Sequence, residues 1–196
     1  MKWNNLLKFG SLSIPFHPNK FCMSTILLLV SSFVFSQVDW QLQTNAAGRF
    51  SILLPGDFTE KTDSVETAVG HLAYHTFFLQ PADSTAENLF YMVSYCDYPP
   101  SVVFSDSTEL AKEFLAATME TAAEAVHGEV AYSADIQLGE YPGKTWRIDY
   151  LGGKAVIKNR AYLVGNRYYA LQTIAWKDKS LNTEGTKFFD SFRLLN

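Results

Sequence analysis

The stretch 129–176 constrains this chain most, because Gly152-Gly153 and Gly165-Asn166 divide it at the spacing of two-residue hairpin loops. Each pair sets a register. Leu151 then faces Lys154 and Val164 faces Arg167, and counting outward places Trp146, Asn159 and Gln172 side by side on one sheet face. Ile148, Ile157 and Ile174 form the next row of that face, with Tyr150, Ala155 and Trp176 beyond and Ala161 beside Ala170, and Leu163 beside Tyr168, at the other end. This is the core face. The opposite face is mixed and basic: Arg147, Lys158 and Thr173; Thr145, Arg160 and Leu171; Asp149, Val156 and Ala175; and Tyr162 opposite Tyr169. A strand over 129–137 precedes these three, joined through 138–143, where Pro142-Gly143 has the residue order of a type II turn centre. The expectation is a four-strand antiparallel meander.

Upstream, residues 38–45 show little pattern, and 48–56 read as a strand stopped by Pro55-Gly56. The polar run 57–63 reads as a loop. Strands follow at 64–69 and 71–80, joined near Gly70, and at 88–95, ended by Pro99-Pro100. Asp106 with Glu109 three residues on is an N-terminal capping pattern, and Leu110, Phe114, Leu115, Thr118, Ala122 and Val126 recur at helical spacing. Gly128 is placed as the residue that ends this helix, with His127 in its last turn. A closing helix capped within 180–183 would aim Phe188, Phe189 and Phe192 at the sheet. The expected order is three or four strands, helix, four strands, helix.

The first forty residues differ in kind. Lys2, Lys8 and Lys20 precede the apolar run 25–35, and no acidic residue appears before Asp39, which is the pattern of a secretory signal with cleavage before Gln37. The run is too short for a stable membrane span. Met23 is the alternative start, although starting there would remove every lysine from the signal; Cys22 lies before the apolar run, where a lipid anchor is not attached. The chain therefore reads as a signal peptide over 1–36 and a single domain over 37–196, exported to the periplasm or extracellular space. Without residues 1–36 the balance is 13 basic against 20 acidic residues, a net charge of −7, which argues against nucleic acid as a partner. Cys96 alone remains, so no internal disulfide is available and the core must hold the fold.

Four phrases carry a resemblance: Gly-Arg-Phe-Ser-Ile-Leu-Leu-Pro-Gly at 48–56, Tyr-Met-Val-Ser-Tyr at 91–95, Tyr-Pro-Gly at 141–143 and Phe-Phe-Asp-Ser-Phe-Arg-Leu at 188–194. Together they resemble secreted bacterial proteins of the PsbP-like α/β/α sandwich type. The resemblance implies an α+β fold, with an antiparallel sheet of about seven strands, a long helix after the first strand group and a C-terminal helix packed on it. It also implies a family whose better-known members act as accessory or assembly factors without catalysis. The phrases are structural and transfer no catalytic residue.

Chemical candidates are sparse. His71 and His75 share a strand face but have no third ligand in frame, and Gly-x-Ser-x-Gly and His-Glu-x-x-His are absent. The glycine pairs sit in hairpins and precede no helix, so they are turns and not phosphate loops. Cys96 reads as a buried, inert thiol, and Asn159 with Gln172 as an amide pair that satisfies itself. The assignment is accordingly no catalytic residue, no metal and no cofactor. The candidate binding residues are Arg147, Asp149, Lys158, Arg160, Tyr162 and Tyr169, a basic patch that would receive an anionic small ligand or an acidic partner protein. The favoured function is a secreted, non-catalytic binding or accessory module. The alternative is a small extracytoplasmic hydrolase or metal-dependent enzyme with a site assembled from scattered residues.

Overall fold

The computed structural model describes residues 39–67, 70–83 and 85–195; the signal peptide assigned to 1–36 lies outside the described residues. Ten strands and two helices follow one another as β1 (Gln41–Asn45), β2 (Phe50–Leu54), β3 (Thr59–Thr67), β4 (Gly70–Leu79), β5 (Phe90–Asp97), α1 (Thr108–Ala125), β6 (Glu129–Leu138), β7 (Tyr141–Tyr150), β8 (Ala155–Val164), β9 (Arg167–Trp176), α2 (Thr183–Asp190) and β10 (Arg193–Leu194). Seven strands form one antiparallel sheet in the order β3-β4-β5-β9-β8-β7-β6, and β1-β2-β10 form a second, small sheet. The register of the meander is the one the glycine pairs dictate: Trp146 pairs with Asn159, Asn159 with Gln172, and Val164 with Arg167.

Several local expectations are overturned. Pro142-Gly143 is not a turn, because β6 and β7 meet through Gly139-Glu140, with Leu138 opposite Tyr141 and Gly139 at φ 62°. Pro142 sits in β7 just before pairing with β8 begins at Gly143, where its missing N–H costs no bond to that neighbour. Gly143 is there for space: a Cβ would lie 2.6 Å from the Ala161 carbonyl oxygen and 2.5 Å from the Tyr162 ring. The first glycine loop is wider than a two-residue turn, since Leu151 also takes positive φ and pairing stops at Tyr150 with Ala155. Gly165 alone takes positive φ in the second, the type II′ arrangement. The 57–63 run is mostly strand β3, and 41–45 is strand β1; both are edge strands of polar sequence, whose order comes from pairing rather than from an apolar period.

Helix α1 starts one residue later than its acidic pattern, with Ser107 as N-cap and no side-chain cap bond. At its end the Gly128 N–H bonds Ala123 O at 2.9 Å and the His127 N–H bonds Glu124 O at 3.0 Å, a Schellman pair whose left-handed residue is His127 (φ 50°) and not glycine. Gly128 is instead required by contact, because a Cβ would stand 2.4 Å from Ile148 Cγ2. At α2 the cap is Asn182, whose Oδ1 accepts from the Gly185 N–H at 2.6 Å.

Two cores follow from these elements, one on each sheet face. Helix α1 packs over β6, β7 and β8, burying Trp146, Ile148, Ile157 and Ala161 against Leu115 and Ala123. On the other face the small sheet and α2 bury Phe50, Ile52, Phe188 and Phe192 against Val93, Tyr162, Tyr169 and Leu171. The mixed face is therefore largely a second core face. Its covering layer comes from the two ends of the described chain, which no periodicity within the meander announces. The Asn159–Gln172 contact forms, with Gln172 Nε2 donating to Asn159 Oδ1 at 3.0 Å, but the pair does not satisfy itself as expected, because Asn159 Nδ2 is buried without an acceptor among the described residues.

Candidate functional site at the α2 to β8 cleft

Alternation along β8 sends Lys158, Arg160 and Tyr162 to the α2 side of the sheet, and the β7 register sets Arg147 beside Lys158 and Thr145 beside Arg160. Where α2 stops covering this face, a cleft of about 130 Å³ opens. Tyr132 of β6, Thr145, Lys158 and Arg160 border it on the sheet side, and Gly185, Thr186 and Phe189 on the α2 side.

The three cations here are not equivalent. Arg147 is held by Asp149, with Nε donating to Oδ1 at 2.7 Å and Nη2 to Oδ2 at 3.3 Å, and Lys177 also reaches Asp149 at 3.2 Å. The Arg147 guanidinium, more than Lys177, holds the Asp149 carboxyl below the usual carboxylate range. Arg160 Nη1 donates to Asp190 Oδ1 at 2.7 Å, and its guanidinium lies 5.2 Å over the Phe189 ring. Lys158 has no such partner. Its Nζ donates to the backbone carbonyl of Ser180, and among the described residues no carboxylate forms an ion pair with it. Burial first, then the Arg147 charge, depresses its pKa below the ordinary 10.5. A half-buried ammonium bonded to a carbonyl and not to a carboxylate favours a negative group nearby.

Of the residues named from sequence, Lys158 and Arg160 line the cleft, and Arg147 with Asp149 forms a closed pair beside Lys158. The two phenols stand elsewhere. Tyr162 and Tyr169 are 4% and 1% exposed, both packed on Phe192, and the Tyr169 hydroxyl donates to Gly48 O at 2.7 Å, so they hold the small sheet to the large one. Tyr132, Thr186 and Phe189 are not among the binding residues expected from sequence; they come from β6 and α2, and only the packing of α2 on the sheet assembles them with β8.

Other groups are accounted for by structure. His71 is exposed, whereas His75 Nδ1 lies 3.0 Å from Thr62 Oγ1 and its ring stacks on Tyr95 at 4.5 Å. Arg167 closes over the same tyrosine at 4.6 Å and forms a two-point pair with Asp97 at 2.5 and 2.6 Å. Among the described residues no group of three or more His, Cys, Asp or Glu is placed to hold a metal ion. Cys96 is buried, and burial, with Asp97 adding to it, pushes its thiol up to about 11. Two larger, open recesses flank the start of α1: one of about 380 Å³ includes Lys112 and Asp135, whose carboxylate is already bonded by Lys144 at 2.6 Å, and one of about 400 Å³ is walled by Phe104, Tyr141 and the carboxylates of Asp106 and Glu140.

No family model matches the chain, and no curated protein matches it either. Among solved structures it is similar to the solution structure of cyanobacterial PsbP (CyanoP) from Synechocystis sp. PCC 6803, with a TM-score of 0.54 at 13% identity over 85% of this chain and 98% of that one. The fold is PsbP-like. At this identity the likeness is one of backbone architecture, and the PsbP-like frame here is a seven-stranded sheet between α1 on one side and α2 with the small sheet on the other. Among the described residues no helix is long and apolar enough to cross a membrane.

Proposed function

We propose that this protein is an exported, non-catalytic binding module whose α2 to β8 cleft receives an anionic group of a small ligand or partner protein. One observation carries the reading. Lys158 is a half-buried cation without a carboxylate partner among the described residues, whereas Arg147 and Arg160 on the same sheet face are each closed onto an aspartate. Its ammonium bonds one backbone carbonyl, and the donor capacity left over is what a negative group arriving from outside would use. The PsbP-like fold supports a binding role by analogy, and the lysines before the apolar run 25–35 support export.

The binding claim is tested by presenting immobilised wild-type protein and Lys158→Ala to an envelope extract at low and moderate salt. Wild type should retain a partner or ligand that the variant loses, and retention should weaken with salt. Equal retention by both proteins, with unchanged circular dichroism, would remove the cleft from consideration. Export is checked separately by N-terminal sequencing of the envelope-associated protein, which should begin at Gln37; an intact Met1 or Met23 terminus there would defeat the cleavage claim.

A further inference from the structure

Two arginines of this chain are each held by an aromatic ring and a carboxylate at once. Arg167 lies 4.6 Å over the Tyr95 ring while it bonds Asp97, and Arg160 lies 5.2 Å over the Phe189 ring while it bonds Asp190. This suits a guanidinium, whose flat face takes a ring while its N–H edge takes a carboxylate. The open recess of about 400 Å³ beside the start of α1 presents the same two kinds of group, the rings of Phe104 and Tyr141 and the carboxylates of Asp106 and Glu140. No basic side chain lines it, and among the described residues neither carboxylate forms an ion pair. The cations of the adjoining elements are committed elsewhere: Lys112 to Glu109 at 3.5 Å, Lys144 to Asp135 at 2.6 Å and Arg167 to Asp97.

The walls are held by backbone bonds. The Ser105 N–H bonds Gly165 O at 2.9 Å and the Gly165 N–H bonds Ser105 Oγ at 3.0 Å, which ties the segment before α1 to the β8–β9 turn. Glu140 and Tyr141 come from the tight β6–β7 turn, where Leu138 pairs with Tyr141. Phe104 keeps 38% of its surface exposed, so its ring offers apolar contact area with a negative rim. Two carboxylates disfavour an anion, and a third ligand for a metal ion is not in place among the described residues. An open recess covers too little of a small molecule to hold it well, whereas a side chain on a protein surface brings further contact area with it. We infer that this recess docks an arginine side chain of a partner protein, with Phe104 and Tyr141 supplying ring contact and Asp106 and Glu140 the negative charge. It shares no residue with the α2 to β8 cleft, so the two surfaces are tested independently.

The test is a two-dimensional amide NMR titration of the full chain at low ionic strength and neutral pH. The probes are the blocked tripeptide acetyl-Gly-Arg-Gly-amide, its lysine and citrulline counterparts, and methylguanidinium. The arginine peptide should give saturable shifts at Ser105, Glu140, Tyr141 and Gly165 and bind more tightly than methylguanidinium, with the lysine and citrulline peptides at least about tenfold weaker. The double variant Asp106→Asn, Glu140→Gln, which keeps side-chain size, should lose the arginine peptide, and Phe104→Ala should weaken it about tenfold with the remaining amide spectrum unchanged. Absence of saturable shifts at these amides, equal binding of the citrulline peptide, or undiminished binding by the double variant overturns the site. Equal binding of the lysine peptide overturns the assignment to arginine, and equal binding of methylguanidinium overturns the protein partner in favour of a small guanidinium compound.

Discussion

Ile157 and Lys158 are neighbours in β8 with opposite surroundings, and the contrast is informative about both. Ile157 is 3% exposed and packs under α1 with Trp146 and Ile148. Removing most of its side chain leaves a cavity, so Ile157→Ala should cost about 2–5 kcal/mol in a urea titration. Lys158→Ala should cost under ~1 kcal/mol, since it deletes a cation whose burial is itself unfavourable and whose bond is to one carbonyl. Equal small effects would mean that the two faces of β8 have been exchanged. Trp146 Nε1 and Asn159 Nδ2, side by side in the same row, are buried donors without a protein acceptor among the described residues. Gln172 in the same row bonds Asn159 through its Oδ1 alone, so packing holds the Trp146 indole and the Asn159 amide nitrogen.

At the scale of the element, the end of α1 separates two uses of glycine that a sequence pattern merges. His127 occupies the left-handed position and Gly128 the crowded one. His127→Gly should therefore stabilise the protein by several tenths to ~1 kcal/mol, because a β-carbon is disfavoured at positive φ. Gly128→Ala should destabilise it by about 1–3 kcal/mol, because the new methyl meets Ile148 at the helix to sheet contact. Opposite signs in the denaturation midpoints of the two variants are the expected result, and the reverse order would place the left-handed residue at Gly128.

At the scale of the whole molecule, the two cores are unusually phenolic, and this sets the alkaline limit of the fold. Burial is the leading cause that raises the pKa of Tyr74, Tyr91, Tyr168 and Tyr169, and it pushes Tyr98 up to about 12 and Cys96 up to about 11. A group whose pKa is raised on folding contributes stability that is complete below its unfolded value and is lost as pH rises toward the folded value. The ordinary values are 9.0 for the thiol and 10.0 for the phenols, so the urea midpoint should begin to fall near pH 9 and drop steeply above pH 10. Asp97, held below 3.8 chiefly by its hydrogen bonds to Arg167, acts in the other direction: its contribution is present above the ordinary carboxylate value and lost as pH falls through the depressed one. A midpoint unchanged from pH 7 to pH 10.5 would show that the phenols are not buried as described.

What the sequence determined by itself was local or periodic. The glycine pairs specify hairpin register because a loop of fixed length leaves one pairing, and alternation then assigns every side chain from Thr145 to Trp176 to a face. The apolar spacing of α1 and the three phenylalanines after Asn182 are of the same kind, each read within a few turns of chain. Tertiary structure alone decided what covers the second face. Phe50 and Phe192 stand far apart in sequence, yet they meet over Tyr162 and Tyr169 and turn half of a basic-looking face into core. It likewise decided how the cations are paired: Arg160 is closed by Asp190, thirty residues away, and Lys158 meets the Ser180 carbonyl in place of a carboxylate. Charge pairing across elements depends on which surfaces pack together, and that long-range choice is made by the burial of apolar area over the entire fold rather than by any short run of residues.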